Sequence, residues 1–254
     1  LLLFKEAKKG IDIDEDKIME TRSMKILEIN PQDQMDLFFQ TKKRKISPRT
    51  QNQKDYFQLL NSKDIVFAYG PAGTGKTFLA VAKAVASLQQ GLVKKIILSR
   101  PAVEAGEKLG FLPGDLKEKV DPFLRPIYDA LYEMMPYDQV EKKLANNIIE
   151  IAPIAFMRGR TLEDCFIILD EAQNTTKIQM KMFLTRLGKN SKMVVVGDNT
   201  QIDLISKNDS GLIDASKKLK NIQDIGFIEL DQRDVIRHEV VRKIINAYEQ
   251  KNSN

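Results

Sequence analysis

Short runs of continuously apolar residues recur along the chain and alternate with longer segments whose apolar residues have helical spacing. The apolar runs lie at residues 64–69, 95–98, 165–169, 193–196 and 227–230. The segments with helical spacing cover residues 76–90, 115–135, 177–187, 211–219 and 235–248. Strands that are apolar throughout and alternate with helices are typical of a parallel sheet buried on both faces. The pattern therefore predicts an α/β fold, doubly wound around a mostly parallel sheet.

The first part of the chain does not share this alternation. Residues 1–10 predict the end of a helix, and residues 11–40 predict helix or loop because their apolar positions have no clear period. Residues 41–54 contain six basic residues, a proline and no acidic residue, which predicts a solvated linker. Near a nucleic acid, this run would add phosphate contacts that do not depend on sequence. We therefore expect a short N-terminal extension with a basic linker at residues 1–46, the remnant of a truncated upstream domain, and a main domain at residues 47–254.

The composition favours a protein with a full core in a reducing compartment. Hydrophobic residues make up 43% of the chain and charged residues 30%, and the formal net charge is +5. No apolar run approaches the roughly 20 residues that a membrane-spanning helix needs, so we expect no membrane partner. The single cysteine cannot form an internal disulfide, which favours the cytoplasm. One histidine and one cysteine also exclude a zinc site built from several such ligands.

The segment after the first apolar run fits the phosphate-binding P-loop pattern G-x-x-x-x-G-K-[ST]. Its residues are Gly70, Pro71, Ala72, Gly73, Thr74, Gly75, Lys76 and Thr77. The glycines let successive backbone N–H groups face one anion, and the helix that follows directs its positive end at the phosphates. In this pattern Lys76 reaches the β- and γ-phosphate oxygens, and the Thr77 hydroxyl ligates Mg²⁺. Because the pattern lies between a predicted strand and a predicted helix, it predicts a site for a nucleoside triphosphate, with Mg²⁺ as cofactor; which nucleotide binds does not follow from the pattern.

Two carboxylates follow the apolar run at residues 165–169. A strand parallel to the P-loop strand and next to it would bring Asp170 to the rim where Mg²⁺ binds, so we expect Asp170 to ligate the metal. Glu171, one residue further, is placed to orient and deprotonate the attacking water. Polar residues also follow the apolar run at residues 193–196, and among them the Gln201 amide is placed to sense the γ-phosphate. The alternative for Asp170 and Glu171 is a pair of solvated acids that cap the next helix. The alternative for Gln201 is a turn residue without a contact to phosphate.

Several longer segments are specific enough to compare with known families. They are GPAGTGKT, SRPAVEAGEKLGFLPGDLKEKVDPFLRPIYDAL, MRGRTL, ILDEAQNTT, MKMFLTRLG, GDNTQIDL and the RH of Arg237–His238. From about residue 50 to residue 248, the chain resembles the PhoH family of bacterial ATPases. Within that family it is similar to the PhoH-like branch, which has an N-terminal region resembling a KH nucleic-acid-binding fold. Residues 1–40 would be only the last portion of that region.

The resemblance implies a P-loop NTPase core of the RecA-like type, related to the motor domains of superfamily-one helicases. It also implies ATP hydrolysis, association with RNA, and assembly into a ring or another homo-oligomer. For the PhoH-like branch it suggests partnership with an endoribonuclease of rRNA maturation.

Roles for single residues also follow from the resemblance. Gln53 matches the glutamine that precedes the P-loop strand in helicase-like motors, where its amide pairs with the adenine edge. The alternative is an exposed glutamine at a helix start. Gln201 matches the γ-phosphate-sensing motif. Arg237 resembles an arginine finger, which stabilises charge on the transferred phosphoryl group, and the assignment stays open between it and Arg233.

By analogy with helicase motors, nucleic acid would bind at Arg100 and the glycine-rich loop of residues 104–115, where the chain leaves a strand of the sheet. Arg158 and Arg160 are further candidates for a finger from a neighbouring subunit or for an RNA contact, with a structural salt bridge as the alternative. A helicase works with two RecA-like domains, whereas this chain has sequence for one. Unwinding in the strict sense would therefore require a second domain from a neighbouring subunit, and the alternative is that the protein does not unwind duplexes.

The function that these features favour is a Mg²⁺-dependent ATPase coupled to RNA binding or remodelling. Its catalytic residues would be Lys76, Glu171, Gln201 and Arg237. One alternative is a phosphotransferase that gives the γ-phosphate to a second substrate. Another is a non-catalytic RNA-binding switch that uses bound ATP only to order loops, although the intact Asp170–Glu171 pair argues against it.

Overall fold

A computed structural model describes residues 38–101, 116–204, 206–235 and 240 of the chain. The strands in this part are β1 (Phe39–Gln40), β2 (Lys45–Ile46), β3 (Ile65–Tyr69), β4 (Lys95–Arg100), β5 (Ile149–Pro153), β6 (Cys165–Leu169), β7 (Lys192–Gly197) and β8 (Ile225–Glu229). The last six form one sheet in the order β5-β4-β6-β7-β3-β8, and every neighbouring pair is parallel. The predicted α/β fold with a parallel sheet is therefore confirmed.

Helices cover both faces of this sheet. They are α1 (Gln51–Ser62), α2 (Lys76–Gln89), α3 (Leu116–Met134), α4 (Tyr137–Ala145), α5 (Lys177–Leu184) and α6 (Gly211–Lys218). Alternate residues of a strand point to opposite faces, so Val66 and Ala68 pack with α1 to α4 while Phe67 packs with α5 and α6. The strands read as continuous apolar runs because both faces are buried.

A two-stranded hairpin precedes α1 and packs on the same core. Its strands β1 and β2 pair antiparallel, and the Phe39 ring stacks on the Phe57 ring of α1 with centroids 4.0 Å apart. Phe39 and Ile46 are both buried. Residues 41–46 thus lie in a docked hairpin, where the run of basic residues had predicted a solvated linker, because apolar residues flank the charges and anchor both strands. The division of the chain at residue 46 stays a prediction.

Three elements of the sheet domain were not predicted from the hydrophobic pattern, and the first is helix α1, whose beginning falls within the predicted linker at residues 41–54. Strand β5 lies at the sheet edge and has Glu150 within it, so its apolar residues do not form a continuous run. Helix α4 buries one residue, Val140, which is too little to give a helical period. None of the described helices is long and apolar enough to cross a membrane.

Four predictions fall on residues outside the described part of the chain. These are the helix end at residues 1–10, most of the segment at 11–40, the loop at 104–115 and the helix at 235–248 beyond its first residue and Val240. Arg237 and His238 belong to the last of these.

Candidate active site

The carboxyl ends of four neighbouring strands meet along one edge of the sheet, which is where ligands bind in folds of this kind. In the order β4, β6, β7 and β3, the strand ends present Arg100, Asp170, Asp198 and Gly70. The expectation that the acid strand lies next to the P-loop strand is wrong, because β7 lies between β6 and β3. The P-loop still approaches Asp170 because it begins across the end of β7, where the Gly70 N–H donates to the Gly197 carbonyl at 3.2 Å. Strand neighbours are set by the long crossover connections, which local patterning does not specify.

The P-loop curls around the amino group of Lys76. Gly75 adopts a positive φ of 85° directly before α2, which turns the loop into the helix. The Lys76 Nζ donates to the carbonyls of Gly70 and Pro71 at 2.6 Å each and to the Thr74 hydroxyl at 3.2 Å. The amino group is therefore held by oxygen atoms of the loop itself, in the position from which a phosphate oxygen could replace them. The crest of the loop, Ala72 and Gly73, is exposed.

Burial and nearby carboxylates act on Lys76 in opposite directions. Burial lowers the pKa of its amino group, and the charges of Asp198, Asp170 and Glu171 partly counteract this. The side chain thus lies in an electrostatic field of three acids, although only 8% of the residue is exposed. An anionic ligand here would bring its own negative charge close to these acids, so binding it as a magnesium complex is electrostatically favoured.

Thr77 and Asp170 come together at the start of α2. The Thr77 hydroxyl donates to Asp170 Oδ1 at 2.8 Å, and Asp170 is only 5% exposed. Burial raises the pKa of Asp170, while the charge of Arg100 and the Thr77 hydrogen bond lower it. A hydroxyl and a carboxylate oxygen are ligands that Mg²⁺ prefers, usually together with phosphate oxygens and water. These two side chains fit a magnesium site.

Glu171 follows Asp170 in a left-handed backbone conformation, with φ 53° and ψ 37°. Its Oε1 accepts from Arg100 Nη2 at 2.8 Å, and its Oε2 accepts from Gln173 Nε2 at 2.6 Å. The side chain of Glu171 is nevertheless 44% exposed, so its carboxylate remains accessible to water. A non-glycine residue in this conformation costs of order 1–3 kcal/mol and tends to occur at functional sites.

Gln53 and Gln201 make contacts within the protein that the motifs alone did not reveal. Gln53 is 2% exposed, its Oε1 accepts from the Arg49 N–H at 2.8 Å, and its Nε2 donates to the Thr74 carbonyl at 3.0 Å. Both ends of this amide therefore fix the P-loop against the start of α1. Gln201 is exposed and its Nε2 donates to Asp198 Oδ2 at 2.9 Å. The adenine contact of Gln53 and the γ-phosphate contact of Gln201 stay predictions.

The candidate finger arginines have different surroundings. Arg160 forms a two-pronged ion pair with Glu150, at 2.6 and 2.8 Å, which is the structural alternative considered for it. Arg233 pairs with Asp231 at 2.6 Å on the surface. Arg158 is exposed beyond the end of β5. Arg237 lies outside the described residues, so the choice of finger stays open.

Sequence reasoning missed the contacts that Arg100 and Gln173 make with the acids. Arg100 had been assigned to nucleic acid, but its Nε lies 3.4 Å from Asp170 Oδ2 and its Nη2 contacts Glu171. No signal in the sequence indicated this contact, because local patterning does not specify that β4 pairs with β6. Gln173 lies two residues after Glu171, but its contact requires the turn that follows β6.

The comparison with known proteins agrees with this geometry. The model of the PhoH family, described as "PhoH-like protein", matches residues 45–249. The chain belongs to the PhoH family. A PhoH-like protein of Bacillus subtilis (strain 168) is 55% identical over 249 residues, covering 96% of this chain and 78% of the relative. A PhoH-like protein of Mycobacterium tuberculosis (strain ATCC 25618 / H37Rv) is 60% identical over 203 residues, covering 80% of this chain and 58% of the relative.

More distant similarities add little to the PhoH assignment. Protein PhoH of Escherichia coli (strain K12) is 43% identical over 205 residues, covering 80% of this chain and 58% of that protein. Among solved structures, the crystal structure of Pif1 helicase from Candida albicans gives a TM-score of 0.39 at 16% identity, over 78% of this chain and 42% of that one. This last likeness is too low to support a conclusion. Family and site together are those of a nucleotide-binding P-loop protein of the PhoH family.

Proposed function

We propose that this protein hydrolyses ATP in a Mg²⁺-dependent reaction that is coupled to RNA. The observation that carries the proposal is the meeting of Thr77 with Asp170 at 2.8 Å, with Glu171 as the next residue. A P-loop alone would fit a kinase or a passive nucleotide switch. A carboxylate one residue beyond the metal ligand, accessible to water, is what hydrolysis requires.

Each side chain has a role that its position supports. Lys76 exchanges the loop carbonyls for β- and γ-phosphate oxygens and offsets their charge. Thr77 and Asp170 would hold Mg²⁺, and the metal, when bound, would offset the negative charge of the phosphates. Glu171 orients a water molecule for attack on the γ-phosphorus and accepts its proton. Gln201 contacts the γ-phosphate once its bond with Asp198 is exchanged, and an arginine, Arg237 in the first place, stabilises charge as the phosphoryl group leaves.

Release of inorganic phosphate from Mg²⁺–ATP, with no second substrate present, tests the hydrolysis directly. Lys76→Ala and Glu171→Gln should each lower kcat by about 100-fold or more, since each removes a group that acts in the transition state. Glu171→Gln should still bind ATP. Lys83→Ala is a matched control, because Lys83 lies on the same helix and bonds to Asn61, away from the site.

The outcomes separate the alternatives. ADP formation without phosphate release, and only with an added acceptor, would indicate a phosphotransferase. Nucleotide binding with no turnover in the wild-type protein would indicate a switch. Full activity in Lys76→Ala would exclude the P-loop as the reaction site.

The coupling to RNA rests on the PhoH resemblance and on the position of the strand ends beside the site. We propose further that the protein acts as a homo-oligomer in the cytoplasm, and that an endoribonuclease is a partner. Phosphate release measured with and without single-stranded RNA, on protein of known oligomeric state, tests the coupling to RNA. Stimulation supports the coupling, and an unchanged rate at saturating RNA contradicts it.

A further inference from the structure

Arg100 is the side chain through which strand β4 contacts the acid pair. In the sheet, Ser99 of β4 pairs with Leu169 of β6, and the Asp170 N–H donates to the Ser99 carbonyl at 2.9 Å. This register places Arg100, the residue after Ser99, beside Asp170, the residue after Leu169. The Arg100 side chain is only 14% exposed, so its contacts with the acids are largely shielded from water.

Two different nitrogen atoms of Arg100 contact two different carboxylates. Nε lies 3.4 Å from Asp170 Oδ2, and Nη2 lies 2.8 Å from Glu171 Oε1. A guanidinium group is planar and rigid, so this pair of contacts fixes the two carboxylates relative to each other. Its charge also offsets their mutual repulsion, which would otherwise turn the Glu171 side chain away from Asp170.

The second oxygen of Glu171 is held from the opposite side. Gln173, which is 1% exposed, donates through Nε2 to Glu171 Oε2, and its Oε1 accepts from the Asp198 N–H at 3.0 Å. Both oxygens of Glu171 thus have a protein partner, one from the end of β4 and one tied to the end of β7. This support also explains how Glu171 keeps its left-handed backbone.

We propose that Arg100 is a positioning residue for the water-activating carboxylate of Glu171. This rests on the proposed hydrolysis of ATP, because it assigns Arg100 a function in that reaction. Arg100 acts through Glu171, whose orientation it sets, and contributes little to nucleotide affinity. A base must lie within hydrogen-bond reach of its water, and a displacement of about 1 Å can cost about 100-fold in rate.

The test compares Arg100→Lys and Arg100→Gln with wild type in kcat, KM for Mg²⁺–ATP, affinity for a fluorescent ADP and thermal unfolding. Arg100→Gln should lower kcat by about 100-fold, and Arg100→Lys should recover part of the rate because it keeps the charge but not the planar fork. ADP affinity should change by less than about threefold in both variants, since Lys76 and the P-loop are intact. Lys94→Gln is the matched control: it breaks the 2.6 Å pair with Asp164 at the other end of β4.

A double variant separates action through Glu171 from action through Asp170. In a Glu171→Gln background, adding Arg100→Gln should lower the residual single-turnover rate by less than about threefold, because residues that act as a unit are not additive. A further loss of about 100-fold in the single-turnover rate in this background would overturn the proposal. Unchanged or faster turnover in Arg100→Gln alone would also overturn it. A parallel loss of ADP affinity and of folding would show a structural role and would also overturn it. If wild type itself released no phosphate, the proposed function would fail instead, which is a distinct result.

Discussion

Replacing Gly70 by alanine should destabilise the protein through one backbone contact that can be located in the structure. Gly70 has φ +142°, and a Cβ built on it would lie 2.0 Å from the carbonyl oxygen of Leu230 and 2.8 Å from its carbonyl carbon. These are backbone atoms at the end of β8, next to the P-loop strand, so no side chain can rotate to relieve the clash. The P-loop and the end of β8 would have to move apart.

The expected cost has two parts. The backbone conformation itself costs an L-residue of order 1–3 kcal/mol, and forced overpacking adds typically 1–3 kcal/mol. We expect a loss of about 4 kcal/mol in the free energy of unfolding, or a melting temperature lower by about 10 °C for a protein of this size. Because the clash would displace the start of the P-loop, whose backbone N–H groups face the phosphates, ATP affinity should fall too.

The matched control is Gly91→Ala. Gly91 also has a positive φ, +72°, but a Cβ there would meet nothing within 4 Å. The free energy of unfolding of Gly91→Ala should fall only by the cost of the backbone conformation, about 1 kcal/mol. Urea denaturation followed by far-ultraviolet circular dichroism measures both, since the chain has no tryptophan. Equal losses in the two variants would refute the idea that contact with Leu230 makes Gly70 necessary.

Three further predictions concern stability. Phe183→Ala removes a fully buried ring of α5 and should lower the free energy of unfolding by about 3–5 kcal/mol. Ile178→Ala in the same helix should lower it by less than about 0.5 kcal/mol, because Ile178 is 82% exposed. Urea denaturation of both variants checks this, and similar losses in the two would contradict it. Phe39→Ala removes the ring that stacks on Phe57 and should cost about 3 kcal/mol in the same assay, whereas a negligible loss would show that the hairpin contributes nothing to folding. Burial and the charge of a nearby lysine lower the pKa of Lys192 from 10.5 to about 8. Between pH 8 and pH 10.5 the unfolded state therefore binds more protons than the folded state. Wild-type stability should rise with pH across that interval relative to Lys192→Gln, and parallel pH profiles would contradict the shift.

Most of the fold could be predicted from the order of apolar runs. Strands buried on both faces leave an unambiguous pattern, so β3, β6 and β7 were each located to within about one residue of the observed bounds. Helix α2 was located equally well. Edge strand β5 and the hairpin were missed because their burial depends on partners that are far away in the sequence. A short stretch of sequence around them does not include those partners.

The candidate site was predictable in its members but not in its connections. The P-loop pattern and the acid pair identify Lys76, Thr77 and Asp170 through residue type and spacing, and the structure brings Thr77 and Asp170 into contact. That both amide ends of Gln53 are used inside the protein could not be predicted, because Thr74 becomes its neighbour only after folding.

The sequence by itself determined the fold class, the phosphate-binding loop and the PhoH membership, since each depends on residues close together in the chain. Only the tertiary structure decided that β7 separates β6 from β3, and that Arg100 faces the acids rather than solvent. The physical reason is that strand order and register bring together the ends of strands far apart in sequence. Contacts such as that between Arg100 and Glu171 exist only once the sheet is assembled.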